Sequence, residues 1–154
     1  MMQNKNIQDV KITQLKQLVD ERGKVMHMMR EDSEVFQRFG EIYFSCTHPG
    51  VVKAWHLHRR MTLNYAVIYG KLKVVLFDDR PESSTFGQIQ EFFLSPENYF
   101  LITVPPMIWN GFKAVGTETT IVANCATLPH DPSEMERRSP SDKSIPYDWD
   151  IQHK

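Results

Sequence analysis

Short apolar runs that alternate with polar residues, broken every few positions by Gly, Pro, Ser, Asn or Asp, most constrain this chain. Ile42, Phe44 and Cys46 alternate with Tyr43, Ser45 and Thr47. Tyr65–Tyr69 and Leu72–Phe77 flank Gly70-Lys71. Gln90–Leu94, Phe100–Val104 and Thr119–Ala126 follow, with Gly116-Thr117-Glu118 as a further turn. Such spacing predicts an antiparallel β-sandwich, with Gly70-Lys71 read as a hairpin turn because glycine accepts positive φ. Helix is scarce; Asp32 and Ser33 are placed to cap one short turn ending at Gly40. At 154 residues the chain makes one domain, 1–154. Residues 1–9 read as a flexible arm. The segment 128–154, with Pro129, Pro132, Pro140 and Pro146, reads as a tail wrapped on the barrel.

Within one predicted strand lie His56 and His58. Residues two apart on a strand share a face, so both imidazoles project together, into the barrel. The run from Gly50 through His56 and His58 to Gly70 has the spacing of the cupin motif G-x5-H-x-H-x4-E-x6-G, with Leu63 in place of the glutamate. The second motif, P-x-G-x2-H, is read here as Pro105-Pro106-Met107-Ile108-Trp109-Asn110, with Asn110 in place of the last ligand. Two histidines fall short of the three or four protein ligands of a metal centre, so no metal and no cofactor are expected.

Composition narrows the partners. A formal net charge of -1, with Arg59-Arg60 and Arg137-Arg138 as the main basic pairs, argues against nucleic acid. The apolar runs are too short to span a bilayer, and Met1–Lys5 lacks a signal-peptide core. Cys46 and Cys125 read as small buried strand residues, which fits a reducing, cytoplasmic setting.

Five segments in order resemble the dTDP-4-dehydrorhamnose 3,5-epimerase family. They are Asp20-Glu21-Arg22-Gly23, Lys53-Ala54-Trp55-His56, Asp79–Gly87, Leu94-Ser95-Pro96-Glu97-Asn98, and Val104–Phe112. The resemblance implies a homodimeric cupin jelly roll that epimerises a nucleoside-diphosphate-linked 4-keto-6-deoxy sugar without metal. In that chemistry a histidine takes a proton beside the ketone, a tyrosine returns one on the other face, and a lysine steadies the oxyanion. It implies His56 as base, with Arg22 and Lys53 on the diphosphate. The family lysine falls on Leu63, its tyrosine on Ala123 and its barrel histidine on Asn110, and the segment carrying the aspartate that orients the base has no counterpart here.

A shorter stretch, His56-Leu57-His58-Arg59-Arg60 with Pro105–Trp109, resembles the sugar 3,4-ketoisomerases and implies His58 as a second proton-transfer group. The expected site is therefore His56 and His58 as catalytic residues, with Arg22, Lys53, Asn110 and Trp109 binding substrate. Trp55 and Trp109 suit stacking or core packing equally. Tyr43 and Tyr65 are replacement proton donors or strand packing. Asp79 and Asp142 orient a histidine or serve turns, while His27 and His130 read as loop residues. The alternatives are a sugar-nucleotide-binding protein without chemistry, a ketoisomerase-type enzyme, or a metal cupin, which Leu63 and Asn110 oppose.

Overall fold

The computed structural model describes residues 6–153. Its strands are β1 (Lys11–Gln14), β2 (Gln17–Asp20), β3 (Gly23–Met26), β4 (Glu41–Thr47), β5 (Val52–His58), β6 (Leu63–Tyr69), β7 (Lys71–Phe77), β8 (Ile89–Leu94), β9 (Phe100–Val104), β10 (Trp109–Val115), β11 (Thr120–Ala126) and β12 (Met135–Arg137). Two five-stranded antiparallel sheets form a jelly roll. One runs β1-β9-β6-β11-β4, the other β12-β5-β10-β7-β8, and β2-β3 stands apart as a hairpin. Among the described residues there is no α-helix, only a 3-10 turn at Pro132–Glu134. Asp32 and Ser33 serve turns instead: Ser33 Oγ accepts from Arg30 N–H, and Asp32 pairs with Arg30.

The strands alternate because both sheets bury one face against the other. Leu63, Tyr65 and Val67 of β6 share one core cluster with Leu72, Val74 and Leu76 of β7, joined by Ile102, Val104 and Val122 from the first sheet and Phe112 from the second. Gly70 does not turn a hairpin. β6 and β7 lie in different sheets, so Gly70, at φ 75°, carries the chain from one layer to the other. Its turn signal was legible, but the pairing partner of each strand is a long-range matter. A Cβ at Gly70 would fall 2.7 Å from Thr120 Oγ1 and 2.9 Å from Thr120 Cα. Cys46 is exposed on β4 while Cys125 is buried, so only one of the two cysteines packs inside.

The second sheet is covered on its outer face as well. Trp55, Leu57, Val75, Phe77 and Trp109 pack there against Ile145 and Trp149 of the tail. The N-terminal segment is anchored at its described part: residues 1–5 lie outside the described residues, but Ile7 is 1% exposed and its N–H donates to Gln90 Oε1 at 2.9 Å. An apolar residue in the core holds this part of the expected arm in place.

The loop before β8 turns around one buried carboxylate. Asp78 is fully buried and accepts from Arg80 Nε at 2.9 Å, Ser83 Oγ at 2.6 Å and Thr85 Oγ1 at 2.7 Å. Burial pushes its pKa up, but these hydrogen bonds outweigh burial and bring it down to about 2. A carboxylate with a depressed folded pKa stabilises the fold above its unfolded pKa and loses that contribution as pH falls toward the folded value. Between about pH 4 and pH 2 the chain should lose roughly 2 kcal/mol from this group, since each tenfold change in proton affinity is worth ~1.4 kcal/mol. Denaturant unfolding of wild type and Asp78→Asn at pH 7, 4 and 2 checks this: the gap between them should close over that interval. A gap of constant size would assign the acid loss to other groups.

Candidate active site

A cavity of about 420 Å³ opens between the two sheets, lined by His56, His58 and Lys53 of β5, Tyr43 and Ser45 of β4, Tyr65, Asn124 and Arg137. The strand period brings His56 and His58 to one face, as two-residue spacing requires. Lys53 lies an odd number of residues before His56 and on a regular strand would point away. Opposite β10 the register changes: Asn110 pairs with His56, but Phe112 pairs with Lys53. The resulting β-bulge places one extra residue in β5 and returns Lys53 to the histidine face. Gly111 lies across from the bulge, where a Cβ would fall 2.5 Å from Ala54 Cβ, so the close approach of the two strands excludes a side chain.

Lys53 Nζ donates to Ser45 Oγ at 3.1 Å and to the Cys46 carbonyl at 2.7 Å. An ammonium has three donors, so one remains for a ligand. β12 adds a cation that in the sequence stands out only as part of the basic pair Arg137-Arg138. Arg137 stands opposite His56 in the ladder and lines the cavity, and its guanidinium makes no ion pair among the described residues. The signal for it was the Met135/Arg137 alternation, readable only once β12 is known to pair with β5. His130, expected as a loop residue, also lines the cavity.

His56 is brought down to about 4 by burial first, then by the Arg137 charge and by His58. Its ring is therefore a neutral imidazole near pH 7. His58 is held differently. Its Nδ1 is hydrogen-bonded to Glu134, a buried carboxylate at the end of the 3-10 turn. Glu134 was missed from the sequence because it lies 76 residues away, in a proline-rich tail. Among the described residues Asp79 and Asp142 bind no histidine: Asp79 accepts from Trp109 Nε1 at 3.0 Å, and Asp142 from the Ser144 N–H.

The facing wall carries two phenols. Tyr65 donates to Asn110 Oδ1 at 2.9 Å, and burial raises its pKa well above the usual phenol value. Tyr43 accepts a hydrogen bond from Asn124 Nδ2 at 2.9 Å, and its own proton has no acceptor among the described residues. Burial raises the Tyr43 pKa, against the lowering effect of the Asn124 bond, so this phenol too is protonated at neutral pH.

Three of the expected substrate contacts sit elsewhere. Trp109 is 1% exposed on the outer face, with Arg138 4.2 Å over its ring, because even and odd positions of β10 point to opposite sides and Asn110 takes the inner one. Asn110 is itself 1% exposed; its amide donates to the His56 carbonyl at 3.0 Å and braces the wall instead of lining it. Arg22 stands at the tip of the β2-β3 hairpin, ion-paired with Asp20 and 86% exposed, outside the cavity of its own chain. Leu63 and Ala123, where the lysine and tyrosine were sought, are each 1% exposed. Among the described residues no three His, Cys, Asp or Glu side chains are grouped to hold a metal ion, and no helix is long and apolar enough to cross a membrane.

The family model described as dTDP-4-dehydrorhamnose 3,5-epimerase matches residues 4–154. A crystal structure of a dTDP sugar isomerase from Desulfovibrio desulfuricans G20 superposes with a TM-score of 0.91 at 42% identity, covering 93% of this chain and 92% of that one. The Haloferax volcanii protein named "Probable low-salt glycan biosynthesis epimerase Agl13" is 36% identical over 145 residues, 93% of this chain and 90% of that protein. A dTDP-6-deoxy-D-glucose-3,5-epimerase from Legionella pneumophila Philadelphia 1, solved in complex with dTDP-4-keto-L-rhamnose, superposes with a TM-score of 0.84 at 25% identity, covering 98% of this chain and 84% of that one.

Proposed function

The chain belongs to the dTDP-4-dehydrorhamnose 3,5-epimerase family, and from that premise we propose that it epimerises a nucleoside-diphosphate-linked 4-keto-6-deoxy sugar by metal-free proton transfer through His56 and His58. One observation carries the reading: two imidazoles on one wall of the cavity face a phenol with an uncommitted proton on the other. Inversion beside a ketone removes a proton from one face of a carbon and delivers one to the opposite face. A base on β5 and Tyr43 on β4 supply those two directions. The enolate oxygen formed between them needs a donor, and neutral His56, Lys53 or Arg137 can provide it. The Agl13 relative, named for glycan biosynthesis, supports a place in polysaccharide assembly.

Lys53 and Arg137 at the cavity hold the diphosphate in this reading. Arg22 joins them from the second copy of a homodimer. Exposed apolar residues support that dimer: Val19 on the hairpin is 73% exposed, Phe44 on β4 is 58% exposed, and β4 is an open sheet edge. Replacing Lys53, Arg137 or Arg22 by Ala should each weaken dTDP binding by about 1–3 kcal/mol, the scale of a charge-assisted hydrogen bond. Calorimetric titration gives the value, and light scattering gives the oligomeric state. Unchanged affinity in all three variants would remove the diphosphate from this site.

The function itself is tested by incubating the protein with a dTDP-4-keto-6-deoxy sugar in heavy water. Deuterium should enter at C3 or C5, and a new epimer should accumulate. A protein that binds the sugar nucleotide but incorporates no label is a binding protein, and the epimerase reading is then wrong.

A further inference from the structure

The two histidines of the cavity are held in different ways. His56 has no carboxylate partner among the described residues and is neutral near pH 7. His58 is 9% exposed and tied to Glu134, itself 3% exposed. Both oxygens of Glu134 are occupied: Oε1 by His58 Nδ1, and Oε2 by the N–H groups of Arg60 at 3.1 Å and Met61 at 3.3 Å. The backbone locks the same pair, since the Glu134 carbonyl accepts from Arg59 N–H at 2.9 Å and Met135 pairs with His58 in the ladder. Asp131 caps the 3-10 turn that delivers Glu134, accepting from Ser133 N–H at 2.9 Å.

Burial pushes the Glu134 pKa up, but the bonds from His58, Arg60 and Met61 outweigh it and hold the carboxyl below its usual value. An ionised carboxylate only accepts, so Nδ1 of His58 must carry a hydrogen. Nε2 is then the nitrogen left to exchange a proton with the cavity that the ring lines. This is the arrangement in which a carboxylate fixes both the tautomer and the aim of a catalytic imidazole. The neighbouring histidine lacks it.

We infer that His58, oriented by Glu134, is the general base of the site, and that His56 is the hydrogen-bond donor to the substrate's keto oxygen. The assignment rests on the epimerase reading above. In the step it describes, the C–H proton passes to His58 Nε2, the C–H electron pair becomes the enolate, and the negative charge on oxygen is met by the His56 N–H. Glu134 touches no substrate and is a positioning residue.

Glu134→Gln separates this role from a structural one. The amide oxygen can still accept from Arg60 and Met61, but the amide N–H faces Nδ1, which must then be the acceptor. The hydrogen moves to Nε2 and the base is blocked. Deuterium exchange into the dTDP-4-keto-6-deoxy sugar should fall about 100- to 10,000-fold, through kcat, with KM and dTDP affinity unchanged. Nitrogen-15 NMR should show His58 protonated at Nδ1 in wild type and at Nε2 in the variant. His58→Asn should lose more exchange than His56→Asn.

Wild-type exchange in Glu134→Gln overturns the assignment, as does a wild-type His58 bare at Nδ1. If Glu134→Gln does not fold, the wild-type spectrum and the comparison of the two histidine variants decide alone. Failure of the epimerase reading looks different, because wild type itself would then bind the sugar nucleotide and take up no label.

Discussion

Tyr43→Phe should lower the rate of epimer formation by about 100- to 10,000-fold, the usual loss when a positioned acid is removed, while deuterium exchange at the same carbon persists. Abstraction by the β5 histidines does not need the phenol. The enolate can recover a deuteron from the base that took the proton, which labels the carbon without inverting it. Inversion needs a proton from the facing wall, and there Tyr43 alone of the two phenols has its proton uncommitted. Tyr65→Phe should therefore affect inversion far less, since Tyr65 spends its proton on Asn110. In Tyr43→Phe the remaining phenyl ring keeps the packing, but Asn124 Nδ2 loses its acceptor at a site 1% exposed, a cost of about 1 kcal/mol or somewhat more. Chiral analysis of product alongside mass-spectrometric label uptake separates the two rates. Equal loss of both, or retention of both, would take the acid role from Tyr43.

Trp55→Ala should destabilise the chain by about 3–5 kcal/mol, the range for deleting a large buried aromatic, out of a total near 5–15 kcal/mol for a domain of this kind. Trp55 is fully buried, with Trp149 at 5.0 Å and Tyr147 at 6.0 Å between ring centroids. The tail rests on that ring. Lys113 Nζ donates to the Trp149 carbonyl at 2.8 Å, and the Lys73 ammonium lies 5.1 Å from the Tyr147 ring centroid. Trp55 also joins the tail through its backbone, exchanging hydrogen bonds with Arg138 at 2.8 and 3.1 Å. Arg138 follows β12, which bears Arg137, and Glu134 precedes it. Loss of the ring should therefore expose the tail to protease and reduce catalysis in the fraction that stays folded. Urea unfolding gives the first quantity and limited proteolysis the second. A loss under about 1 kcal/mol, far below the large-aromatic range, with an intact tail would mean that the outer cluster does not hold the cavity wall.

These effects separate what is written locally from what is not. Strand positions and the shared face of His56 and His58 follow from a period of two, which is a property of the backbone and needs no partner. The Leu63 and Asn110 substitutions in the metal-binding pattern were visible in the same way, and the five ordered motifs pointed to the family whose model matches residues 4–154. What the sequence could not settle depends on which strand pairs with which. Gly70 marks a turn in either case, but only the pairing shows that it joins two sheets. Lys53 reaches the histidine face through a bulge set by the register against β10. Trp109 and Asn110, adjacent in sequence, are sent to opposite sides of one sheet. Arg137 and Glu134 enter the site because a proline-rich tail adds β12 to the edge at β5. Local period is fixed by covalent geometry, whereas register and edge pairing are chosen by the burial of distant surfaces, and the groups around the two histidines were decided there.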